Sequence, residues 1–115
     1  MINFQEDVER WVLDCFGKDS FQNTRVRALR FLEESIELCQ SVGITNVDCL
    51  KLIGQVYEKP EGEIVQEIGG TMTTLAPLCS NLGIDMLYAG RKELEILIES
   101  EKSRKLSCIN YERKN

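Results

Sequence analysis

Histidine is absent from this chain of 115 residues, and no CxxC pair occurs among its five cysteines, Cys15, Cys39, Cys49, Cys79 and Cys108. Scattered thiols in odd number argue against a zinc site or a disulfide framework, and reduced, mostly buried thiols in a cytosol are expected. Proline occurs only twice, β-branched runs are few, and neither Asn-Gly nor Asp-Gly is present, so strand and hairpin signals are scarce. No apolar run approaches the roughly 20 residues of a membrane span. The opening MINFQEDVERW is acidic and has no apolar core segment, which argues against a signal peptide and for the cytoplasm of the cell or its host. A long basic run is also missing: 14 Lys and Arg stand against 19 Asp and Glu, a net charge of -5. That balance argues against a general DNA or RNA binder and against an anionic membrane partner. A phosphate-bearing partner would therefore arrive with a metal ion.

What remains is helical periodicity. The length suits one domain with a modest core, expected over residues 1–105 and followed by a loose tail over 106–115. A first helix is expected over about 3–16, closed by Gly17, and a long second one over about 22–42, closed by Gly43. A third follows over about 46–57, with Thr45 or Asn46 as its N-cap. After the turn EKPEGE a fourth runs from about Glu61 to Leu82, kinked at Pro77, and Asp85 caps a fifth that reaches about Lys105. Helices with short connections imply an all-α antiparallel bundle of four to five helices. Two or four copies would help such short helices bury their apolar faces.

The chemistry-bearing feature is acidic. In RFLEESIELCQ, Glu33 and Glu37 lie about 40° apart on the helical wheel and Glu34 about 60° beyond, so all three project from one arc. Like charges at this spacing cost roughly 0.2–0.5 kcal/mol per pair unless a cation relieves them. The arc also holds Arg27, Arg30 and Gln40. It is open to two readings, a solvated face with Arg30 paired to Glu33 or Glu34, or half of a cation site. On the fourth helix Glu63, Glu67, Gly70 and Thr74 share about 60° of the wheel, opposite an apolar stripe of Ile64, Ile68, Met72, Leu75 and Cys79. Each of Gly69 and Gly70 costs the helix about 1 kcal/mol relative to alanine. Without a Cβ they leave room either for a ligand at the carboxylates or for a closely packed neighbouring helix. Clustered glutamates on two helices are the materials of an all-oxygen Mg²⁺ or Mn²⁺ site acting on a phosphate ester.

These residues resemble those of the MazG-like, all-α nucleoside triphosphate pyrophosphohydrolases, especially short phage-type members, which carry EExxE on one helix and ExxD on a later one. The first motif is present as Glu33, Glu34 and Glu37; the second keeps Glu67 but has Gly70 where the aspartate usually stands. The likeness continues through CFG, RFLEE, PEGEIVQEIGG, TLAPLC and GIDM, over roughly residues 10 to 105. It implies hydrolysis of a (deoxy)nucleoside triphosphate to the monophosphate and pyrophosphate, with a purine such as dGTP as one substrate suggested by analogy. It further implies Mg²⁺ or Mn²⁺ held by Glu34, Glu37 and Glu67, with Glu63 standing in for the missing acid and Glu33 activating water. Arg27, Arg30, Lys102 and Arg104 are the expected phosphate contacts, and Gly70 leaves room beside them. Trp11 stacks on the base in this reading or belongs to the core, where Phe31 is also expected. A homodimer or homotetramer without membrane or nucleic-acid partners completes the picture. The alternative is a catalytically silent helical module that binds nucleotide or a partner protein.

Overall fold

The computed structural model describes residues 3–101. Among them there are six helices and no strand: α1 (Phe4–Phe16), α2 (Lys18–Phe21), α3 (Thr24–Ser41), α4 (Asn46–Tyr57), α5 (Ile64–Asn81) and α6 (Met86–Glu99). The expected all-helical class is what the chain adopts. The single turn α2 is an addition, and it follows from Gly17. This residue takes φ 88°, ends α1 by donating its N–H to the Leu13 carbonyl, and lets the chain re-enter a helix at Lys18.

Local chemistry accounts for most boundaries. Asn3 caps α1 by accepting from the Glu6 N–H at 2.9 Å, and Asn23 accepts from the Val26 N–H at 3.1 Å ahead of the long α3. Thr45 and Asp48 form a reciprocal capping box at the start of α4. Beyond α3 and α5, Gly43 and Gly83 adopt φ 94° and 72°, a region in which a side chain is strained. In both cases the following residue closes the helix, Ile44 donating to the Cys39 carbonyl and Ile84 to the Cys79 carbonyl. The fourth expected helix starts later than its periodicity suggests. Glu63 has φ -87° and ψ 137° and accepts from the Gln66 N–H at 2.8 Å, so it precedes the helix as its cap.

The described residues fall into two compact units, one of residues 3–33 with 87–101, the other of residues 34–86. In the first unit Val12, Cys15, Val26 and Leu94 are buried and form the core. Glycine brings α6 onto α1 here: a Cβ at Gly90 would stand 2.9 Å from the Phe4 ring. Arg91 lies over that ring at 5.4 Å and pairs with Asp7. Trp11 meets Phe16 edge to face at 5.8 Å.

The second unit has the opposite character. It contains the end of α3, all of α4 and all of α5, and none of its residues is buried. Tyr57 is 85% exposed, Ile64 75% and Val65 72%. Its α5 is also a weak helix by composition, since two interior glycines and Pro77 penalise it by roughly 1 kcal/mol each and about 3 kcal/mol respectively. Thr71, Thr73 and Thr74 turn their hydroxyls back onto the carbonyls of Glu67, Gly70 and Thr71, bonds that tend to bend a helix.

Two expectations about burial are corrected. Phe31 is 56% exposed rather than part of the core. Of the described thiols only Cys15 is buried, whereas Cys39, Cys49 and Cys79 are partly exposed; none of the four is in a disulfide. Cys39, Cys49 and Cys79 belong to the unit without a core, which explains their exposure. Cys108 lies outside the described residues.

Candidate functional site

The acidic residues on α3 and α5 are exposed, as charged groups without a buried partner must be. On α3, Arg30 pairs with Glu33 at 3.7 Å, one of the two partners expected for Arg30. This is a solvated i, i+3 pair worth a few tenths of a kcal/mol. Glu34 and Glu37 follow on the same arc, in the second unit. Across the loop that leads to α5, Glu67 occupies the first turn, where the partial positive charge of the helix N-terminus favours a carboxylate. Glu37 and Glu67 take part in no ion pair among the described residues.

Gly62 shapes the position of Glu67. The Glu67 carboxylate folds back over Gly62 so closely that a Cβ there would stand 2.8 Å from its Cδ. Sequence reasoning missed this contact, although PEGE marked the turn. Glu63 has a further role that periodicity did not reveal: its carboxylate caps α5 by accepting from the Gln66 N–H, while its carbonyl accepts from the N–H of Glu67, one helical turn on, at 2.9 Å. Gly69 and Gly70 have nothing within 4 Å of where a Cβ would be placed. Among the described residues, then, no packed helix explains them. Gly70→Ala is expected to raise stability by about 0.5–1 kcal/mol in urea unfolding; a loss instead would reveal a group that approaches this position.

The donor chemistry, glutamates only, fits a hard cation such as Mg²⁺ or Mn²⁺. Among the described residues, however, no three acidic or thiol side chains gather into a group that holds a metal ion. Glu34 and Glu37 come from one helix and Glu67 from another, and among the described residues they do not form such a cluster.

Of the remaining expected residues, Arg27 and Trp11 lie in the first unit. Arg27 is held over the Phe16 ring at 5.5 Å, a cation–π arrangement that anchors its guanidinium. Trp11 lines a cavity of about 400 Å³ between α1 and α6, together with Asp14, Arg91, Leu94, Glu95 and Ile98. Its indole N–H is buried and has no hydrogen-bond partner among the described residues. Packing against Phe16 makes Trp11 part of the aromatic layer of this unit. Lys102 and Arg104 lie outside the described residues. No helix among the described residues is long and apolar enough to cross a membrane.

Comparison with known proteins returns no match to a family model, to a curated protein or to a solved structure.

Proposed function

We propose that the chain is a metal-dependent nucleoside triphosphate pyrophosphohydrolase of MazG-like type, working as a homodimer or homotetramer on a purine deoxynucleotide such as dGTP. The observation that carries this reading is the pairing of an EExxE arc on α3 with an exposed, unpaired Glu67 at the start of a glycine-containing α5, in an all-helical chain. Glu34, Glu37 and Glu67 would bind the cation from two helices, and Glu63 contributes the carboxylate oxygen that its capping bond leaves over. A bound Mg²⁺ or Mn²⁺ supplies charge neutralisation and Lewis-acid polarisation to the phosphates.

The chain's own groups do the rest. Glu33 accepts the proton of the water that attacks the α-phosphorus, as the bond to the β-phosphate oxygen breaks and pyrophosphate leaves. Arg30, already beside Glu33, and Arg27 oppose the charge of the triphosphate. The absent side chain of Gly70 leaves space beside Glu67 for phosphate oxygens.

A second reading has an observation of its own. Gly70 in place of an acid, with no three-acid group gathered among the described residues, suits a silent module that binds nucleotide or protein without turnover. Incubation with each dNTP and Mg²⁺ or Mn²⁺, followed by product analysis, separates the two. Monophosphate with pyrophosphate is expected. Binding without products establishes the module, and release of single orthophosphates refutes the proposed reaction.

A further inference from the structure

The cavity of about 400 Å³ bordered by α1 and α6 lies in the first unit, and its size is within the roughly 300–1,000 Å³ of small-molecule sites. Its apolar lining is Trp11, Leu94 and Ile98. Leu94 is buried, Trp11 partly so and Ile98 exposed, so apolar surface reaches from the core to the outside. Charged groups make up the remainder. The carboxylates of Asp7, Asp14, Glu95 and Glu101 stand with the guanidiniums of Arg10 and Arg91, an excess of two negative charges. Asp7 is taken up by Arg91. Asp14 on α1, Glu95 on α6 and Glu101 just beyond it form no ion pair among the described residues.

This lining selects a class of ligand. An excess of negative charge repels phosphates and carboxylates and attracts cations. A compact metal ion needs several oxygens converging on one point, and among the described residues no three acidic or thiol side chains gather to hold one. The positive charge that fits here is therefore spread along a chain. An indole beside the acids favours an organic ammonium, through cation–π attraction and contact with its methylene stem. We propose that the cavity binds a small aliphatic diammonium ion, its charged ends at Asp14 and Glu95 and its stem against Trp11, Leu94 and Ile98. Two positive charges match the excess, and the stem covers apolar surface that a hydrated metal ion would leave in water. The site stands without the hydrolase reading, because none of its residues is among the ligands and phosphate contacts proposed on α3 and α5.

Trp11 is the one tryptophan of the chain, so indole fluorescence reads occupancy directly. Titration of the full chain with 1,5-diaminopentane at about 0.15 M ionic strength is expected to give a saturating change. n-Pentylamine has the same stem and one charge, and is expected to bind about 3–5-fold more weakly, the scale of one exposed ion pair. Asp14→Asn and Glu95→Gln are each expected to weaken the diamine about 2–5-fold. Both carboxylates are exposed, so these variants keep the fold. Mg²⁺ at equal concentration is expected not to displace the diamine. If a variant does fail to fold, the wild-type comparison of diamine, monoamine and Mg²⁺ still answers. At ten times its Kd the diamine is also expected to raise the unfolding temperature by about 5 °C. Equal affinity for diamine and monoamine overturns the proposal, as does affinity unchanged in both variants. Displacement by Mg²⁺ or absence of saturation would mark an ionic atmosphere only and overturns it too. No readout measures nucleotide turnover, so this proposal and the proposed activity fail separately.

Discussion

Glu67→Gln is expected to reduce Mg²⁺-dependent pyrophosphate release from the preferred dNTP by about 100-fold or more while leaving the fold intact. The substitution keeps the shape of the side chain and removes its charge, so a hard cation loses an anionic oxygen donor, whereas loss of an outer-shell partner alone costs 10–100-fold. Stability is expected to stay within about 0.5 kcal/mol, because Glu67 is exposed and makes no ion pair among the described residues. Initial-rate kinetics across a Mg²⁺ titration, with urea unfolding of the same preparation, provide both measurements. Turnover equal to wild type at saturating Mg²⁺ would remove Glu67 from the cation site and with it the reason to read α3 and α5 as one site.

Leu94→Ala is expected to destabilise the chain by about 3 kcal/mol, within the 2–5 kcal/mol typical of deleting a buried leucine. Only Val12, Cys15, Val26 and Leu94 are buried among the described residues, so one truncation removes a large part of the core. Native stabilities are commonly about 5–15 kcal/mol, and a loss of this size lowers the urea midpoint clearly. Leu94 also borders the cavity beside Trp11, so indole fluorescence should report the change. A loss below about 1 kcal/mol would mean that α6 does not close the core of its unit. Leu52→Ala gives the contrast: its side chain is exposed in the single chain, so any large cost there measures burial against a partner.

Much of the helical layout was legible in particular residues. Gly17, Gly43 and Gly83 mark ends because a positive φ is open to glycine and strained for a residue with a Cβ. Thr45 marks a start because its hydroxyl and Asp48 satisfy each other's backbone donors. The pairing of Arg30 with Glu33 follows from three-residue spacing on a helix. Less legible was Glu63, whose periodicity placed it inside α5 when its carboxylate is used to begin that helix. The burial of Phe31 was misjudged for a related reason. A helical wheel orders residues around an axis but does not state which arc meets another element.

By itself, the amino-acid order determined the all-helical class, the caps, the breaks and the arcs on which acids and apolar groups lie, because these depend on contacts within about four residues. Only the tertiary structure decided where burial occurs: in α1, α3 and α6 around Leu94, with α4 and α5 left exposed. It also decided that Glu67 rests over Gly62 and that, among the described residues, no three acidic or thiol groups gather to hold a metal ion. Such outcomes depend on how segments distant in sequence meet, and helical periodicity carries no information about that meeting.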